Sequence, residues 1–311
     1  MTERLYPKLR HSPLIRAMEE RYSRAEVEPI FKYALMTRLF RQVFMRKWME
    51  NFGKGAALIP AFQPSTFRYY LASLARVFLS ILIRPDYGPI QFKYLYSIES
   101  AFQAKRDGSR RFDFLLDGVE LTQQNTLFVV GHGVDGDWVE EEMEQGYEFT
   151  RWNDYVGVKD LRAALHLNWL GLKHWTAPAW IHEAFTSGLW TQIRNGTLIG
   201  SMKPGSRFIY TNQYGLTPRW RNVLLRRQGA SSWYFTHSSG GGFERGDTSK
   251  ELFGNGKDFG GLIRLWMYDN PDHFVTVGKE QIDYYKKHRQ AVSTYHAVGN
   301  IWSEHILEMA K

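Results

Sequence analysis

The side chains best suited to chemistry lie in the second half of the chain. Phe208 to Gln213 has the composition of a strand ending in amides, and Ser232 to Thr236 that of a second strand, with His237 directly after it. In open α/β sheets ligands bind beyond the carboxyl ends of strands, so Asn212, Gln213 and His237 are expected to line one crevice. An imidazole titrating near neutral pH can take the proton of an attacking hydroxyl within hydrogen-bond reach. The plainer alternative is a histidine that caps its loop. Between the two strands, Pro218 to Gln228 reads as a helix with Arg219, Arg221, Arg226 and Arg227 and no acid. Arg219 and Arg221 are candidates for charge-assisted hydrogen bonds to an anionic acceptor or a donor phosphate, against the plainer reading of arginines on a solvated helix face.

A second candidate lies upstream. Gly131-His132-Gly133-Val134-Asp135-Gly136 matches G-x-G-x-x-G, follows the apolar run TLFVV and precedes a helical segment, the context of a dinucleotide fingerprint. In a parallel sheet His132 and Gly133 would face the same crevice as His237. The helix that follows begins Asp137-Trp138-Val139-Glu140-Glu141-Glu142, and those four carboxylates oppose a pyrophosphate at its N-terminus. A tight strand-to-helix turn facing a cleft is the plainer reading. Asp135-Gly136-Asp137 also has the form of a D-x-D pair that holds one divalent ion. The ten histidines include no H-E-x-x-H, and no metal site is expected. G-x-S-x-G, P-loop and kinase signatures are absent from the sequence.

Composition narrows the classes further. The 311 residues are 43% hydrophobic and 15% aromatic, material for one large core or two modest ones. A chain with no cysteine holds no disulfide, thiolate nucleophile or Cys-ligated zinc. Forty Lys and Arg against 32 Asp and Glu leave a formal charge of +8, which favours anionic partners. Without a recognisable nucleic-acid-binding fold or an aromatic RNP-type stripe, nucleic acid is not among those expected. Met1 to Ser12 is charged throughout and lacks the apolar run of a secretory signal, so the reading is cytoplasmic. Tyr69 to Ile83, fifteen residues interrupted by Arg76, falls short of the about 20 needed to cross a bilayer. Arg68 and Arg84 flank it, and Ile30 to Phe52 carries five basic residues against Glu50. Attachment to the inner face of the plasma membrane therefore stands beside the plainer reading of two core-packed helices.

Three regions are expected to position these residues. Residues 1–110 read as a helical N-terminal region, because Ile30, Tyr33, Ala34, Phe40, Val43, Phe44 and Trp48 recur at helical spacing and Pro60, Pro64 and Pro85 end the helices. Residues 111–300 read as a Rossmann-like α/β domain with a parallel sheet. Its strands are expected at 112–116, 126–130, 147–152, 208–212, 231–236, 273–277 and 294–298, and its helices at about 137–145, 158–171, 178–195, 217–228 and 278–290. The Gly-rich stretch 238–261 reads as a functional loop, and 301–311 as a tail or the start of an interdomain linker.

The order of these pieces resembles the N-terminal half of GT-B transferases. A strand ending in Asn, a basic helix, a Gly turn and a strand ending in His are followed by Asp272 to Gly278, a Tyr-rich helix and Val298-Gly299-Asn300. The arrangement is similar to bacterial surface-polysaccharide enzymes, including CDP-glycerol glycerophosphotransferase-like and capsule glycosyltransferase-like proteins. The resemblance covers about residues 112–305. In that family a Gln-His-Gly motif supplies the histidine proposed to activate the acceptor hydroxyl; here the matching residues are Thr236-His237-Ser238. The resemblance implies an inverting, GT-B-like glycosyl or glycerophospho transfer from a nucleotide-activated donor, a co-substrate rather than a tightly held cofactor. The acceptor would be a glycan or lipid-linked glycan. His237 is then the candidate base, with Asn212, Gln213, Ser238, Ser239, His132, Gly133, Arg219 and Arg221 around the substrate. In the GT-B plan the donor sits mainly on a second domain beyond the Val-Gly-Asn exit. The expectation is thus an acceptor-side half whose donor-binding half is supplied elsewhere. Two other readings remain: a non-catalytic membrane-peripheral scaffold, and a nicotinamide-dependent oxidoreductase built on Gly131 to Gly136.

Overall fold

A computed structural model describes residues 2–51, 64–82, 89–100, 105–106, 109–110, 122–134, 136–152, 161–211, 215–236, 268–276, 278–288 and 292–299. The main sheet is formed by β1 (Tyr94–Ser100), β2 (Thr126–Gly133), β3 (Glu148–Arg151), β4 (Arg207–Tyr210), β5 (Ser231–Phe235), β6 (His273–Thr276) and β7 (Thr294–Ala297). The helices are α1 (Thr2–Leu9), α2 (Pro13–Tyr22), α3 (Arg24–Asn51), α4 (Pro64–Leu82), α5 (Gly136–Glu144), α6 (Leu161–Lys173), α7 (Ala179–Ser201), α8 (Thr217–Arg227) and α9 (Lys279–His288).

All seven strands are parallel, in the order β3-β2-β1-β4-β5-β6-β7. This is the doubly wound, Rossmann-like α/β arrangement, in which the chain builds outward from β1 on one side and then returns to build outward from β4 on the other. Both sheet faces are apolar, as a parallel sheet covered on both sides requires. Leu95, Leu127, Val129, Phe208, Tyr210, Tyr234 and Phe274 pack on one face against the helical layer. Tyr94, Tyr96, Ile98, Phe128, Val130 and Ile209 pack on the other, with Trp138 and Val139 of α5.

The expected strands beginning at 126, 147, 208, 231, 273 and 294 are present, with boundaries moved by a residue or a few. The expected strand at 112–116 lies outside the described residues, as do the Gly-rich stretch 238–261 and the tail 301–311. One expectation is corrected. The helical reading of residues 1–110 fails at β1, which pairs with both β2 and β4 at the centre of the sheet. β1 carries the alternation Tyr96-Ser97-Ile98-Glu99, a short period-2 strand signal inside the stretch read as helical.

The N-terminal helices do not form a core of their own. Tyr6, Leu14, Ile15, Met18, Ile30 and Phe31 share one cluster with Phe185 of α7, Trp220 of α8 and Phe208 of β4. Trp220 joins these layers: its ring meets Tyr22 and Phe31 edgewise or tilted, and its indole N–H donates to the Ala184 carbonyl at 2.9 Å. Gly188 lets α7 approach closely, since a Cβ there would lie 2.6 Å from Met18 and 2.7 Å from Trp220. Among the described residues, no helix is long and apolar enough to cross a membrane.

Candidate functional site

Strand order places the candidate site. Between β1 and β4 the direction of winding reverses, the switch point at which an open α/β sheet places a ligand crevice beyond the carboxyl ends of its strands. Ser97 and Ile98 of β1 and Tyr210 and Thr211 at the end of β4 form its described floor, and all four are buried. Alongside, β2 continues past the end of its apolar run through Gly131-His132-Gly133, with Gly133 in register with Ser100. His132 and Gly133 therefore lie on the carboxyl edge, one strand from the crevice.

α8 begins at the same edge. Gly215 takes up φ 93°, a left-handed conformation that glycine adopts without a steric penalty, and it turns the chain from β4 into the helix. Its N–H donates to the Tyr33 hydroxyl at 3.2 Å, and its carbonyl accepts from the Arg219 guanidinium. Pro218 in the first turn fits a position whose N–H has no intrahelical acceptor.

Arg219 and Arg221 correct the sequence reading. Each is only 1% exposed, so neither stands on a solvated helix face. Arg219 lies over the Tyr33 ring at 3.5 Å, and Arg221 lies 4.5 to 4.6 Å from the Tyr210 and Phe208 rings. Charge on an aromatic face recovers part of the desolvation cost of burial. Asp269, fully buried, shares this environment. Burial first, and then Asp269, pushes the Tyr210 phenol above its ordinary range, so it stays a neutral donor and acceptor. Asn222 donates to the Tyr210 hydroxyl at 2.8 Å and to Asn270 at 3.4 Å, completing a polar network inside the fold.

The fingerprint Gly131 to Gly136 also differs from its expected setting. Gly131 and Gly133 belong to a continuing strand rather than a tight turn, and that strand is β2, not the central β1 from which a Rossmann dinucleotide turn departs. The four carboxylates of α5 are divided: Glu142 is buried, while Asp137, Glu140 and Glu141 are exposed. Arg151, at the carboxyl end of β3, brings its guanidinium against the first turn, so that a Cβ on Gly136 would lie 3.5 Å from Nη2. This cation is a site residue the sequence reading missed, because only the β2–β3 register places it there.

Asn212, Gln213, Ser238, Ser239, His237 and Asp135 lie outside the described residues. Their described neighbours Thr211 and Thr236 follow β4 and β5 at the carboxyl edge. β2 and β5 are separated by two strands, about 14 Å at ordinary strand spacing, so the segments after them leave the same edge at some distance from each other.

Asp272, by contrast, belongs to the opposite edge. Its carboxylate accepts from the Ser232 backbone N–H at 2.9 Å, the Ser232 hydroxyl at 2.8 Å and Arg226 at 3.2 Å, tying the end of α8 to the start of β5. Two further imidazoles are close together: His273 Nδ1 and His296 Nε2 are 3.1 Å apart, both stacked on Trp233. Desolvation holds both below the ordinary imidazole range. His182 is a core histidine, bonded to the Tyr70 hydroxyl at 2.8 Å and the Trp175 carbonyl at 3.2 Å, and burial lowers its basicity too. Among the described residues, no group of three or more His, Cys, Asp or Glu is placed to hold a metal ion. Compared with protein-family models, curated proteins and solved structures, the chain matches none at a significant level.

Proposed function

We propose that the chain performs the acceptor-side part of a group transfer, moving a glycosyl or glycerophosphoryl group from a nucleotide-activated donor to a glycan or lipid-linked hydroxyl. The observation that carries this reading is the winding reversal between β1 and β4 in an all-parallel sheet, with α8 beginning at the carboxyl edge beside it. His237, one residue beyond Thr236, is the proposed base for the acceptor hydroxyl. Arg151 brings a positive charge to the same edge. Arg219 fixes the Gly215 turn, and Arg221 holds α8 against the aromatic rings of β4.

The test is nucleotide release from CDP-glycerol and a panel of nucleotide-activated sugars, with membranes supplying both the acceptor and the donor-binding half. Adding the chain should raise release, and His237→Ala should lower that gain about a hundredfold or more, the scale of a general base. Equal gains from both proteins, or none across the panel, would overturn the reading.

A membrane-peripheral scaffold is the second reading, and α4 favours it. Phe67, Leu71 and Phe78 follow helical spacing and are all about half exposed. In vesicle flotation a scaffold would bind acidic lipid with no nucleotide-activated donor in any assay.

A further inference from the structure

At the other end of α8, away from the crevice, a cavity of about 310 Å³ lies between α2, α4, α6, α7 and α8. Arg21 and Arg227 stand in its wall, each about 5 Å from the Tyr22 ring centre, and Arg227 also donates to the Arg21 carbonyl. Gln192 lines the same cavity and is only 3% exposed. Its Oε1 accepts from Arg21 Nε at 3.0 Å and from the Tyr22 hydroxyl at 2.5 Å, which fixes the orientation of the amide. The Nε2 group is buried and has no hydrogen-bond acceptor among the described residues.

Arginines in the last turns of α2 and α8 also complement the helix dipoles, which accounts for their presence there. It does not account for a buried amide NH₂ with nothing to donate to, since such a group costs about 1–3 kcal/mol unless it is paired. Among the described residues that line the cavity none is acidic, so the polar side offers two guanidiniums and an amide donor. The rest of the wall includes Val77, Ile193 and Leu224.

We propose that this cavity binds a small phosphate monoester with a short apolar substituent. Its oxygens accept from Arg21, Arg227 and the Gln192 amide, and its substituent lies against Val77, Ile193 and Leu224. The site is separate from the carboxyl-edge crevice and does not depend on the transferase reading.

The test is calorimetric titration of the full chain with inorganic phosphate, n-butyl phosphate, and phosphatidylcholine vesicles containing phosphatidic acid. Butyl phosphate should bind at least about tenfold more tightly than inorganic phosphate, because burying its methylenes adds to the anion contacts. Arg227→Ala, at an exposed position, should weaken binding tenfold or more. Gln192→Glu keeps the acceptor that Arg21 and Tyr22 use but replaces the donor with a negative charge, and it should abolish binding without unfolding the chain. If only the phosphatidic acid vesicles bind, with the same dependence on Arg227 and Gln192, the phosphate belongs to a lipid headgroup and the site stands. Failure of every probe to bind, or full-strength binding by both variants, would overturn it.

Discussion

Arg221 and Arg227 are fewer than two turns apart on α8, yet they occupy different worlds. Arg221 is buried among Phe208, Tyr210 and Trp152, whereas Arg227 is exposed at the rim of the cavity beside α2. The difference comes from what covers the helix. α8 is enclosed by β5 on one side and by α3 and α7 on the other, and only its last turn emerges. A basic helix can therefore hold structural cations in its middle and ligand-ready ones at its end, and composition alone does not separate the two.

The largest expected effect breaks this comparison directly. Arg221→Ala should destabilise the fold by about 3–5 kcal/mol, the range for a large buried side chain cut to alanine, while Arg227→Ala should stay within about 0.5 kcal/mol as a surface change. Urea unfolding of both variants decides it, and similar losses would mean that α8 is not enclosed as described.

The layout around α8 explains what the sequence could and could not disclose. Six of the sheet strands announce themselves by short β-branched and aromatic runs, and the helix beginning at Thr217-Pro218 by its proline. β1 is marked only by the short alternation Tyr96-Ser97-Ile98-Glu99, the burial of Arg219 depends on α3, some 180 residues earlier in the chain, and that of Arg221 on β4 and Trp152. The parallel sheet is legible from the strand-helix alternation. Arg151 and the cavity around Gln192 are not, since each is assembled by pairing and packing between distant segments.

A second pair of substitutions sharpens the comparison at α7, which packs on α8 along its length. Gly188→Ala places a methyl group against Met18 and Trp220 and should cost about 1–3 kcal/mol by overpacking. Gly200→Ala meets nothing within 4 Å and should stabilise the helix by about 0.5–1 kcal/mol. Thermal unfolding should move the two midpoints in opposite directions.

The smallest effect concerns protonation. His182, His273 and His296 are all held below the ordinary imidazole range, chiefly by desolvation. His296 and Arg207 depress His273 further, and Asp272 partly opposes them. In the unfolded chain these groups bind protons near pH 6.5, so the unfolded state gains protons first as the pH falls. Stability is then greatest above about pH 6.5 and declines below it. His296→Gln should flatten that decline in urea midpoints between pH 7.5 and 5.5, and an unchanged slope would show that the stacked pair does not titrate differently from the unfolded chain.

The central claim is that ligands enter at the carboxyl edge of the sheet, where the winding reverses. Hydrogen exchange of the full chain with CDP, UDP and a glycerol phosphate oligomer tests it most directly. The account predicts slowed exchange at 97–100, 131–134 and 211–216 with at least one of these probes. Unchanged exchange in all three segments with every probe, or slowing confined to the helix ends around Arg21 and Arg227, would contradict it.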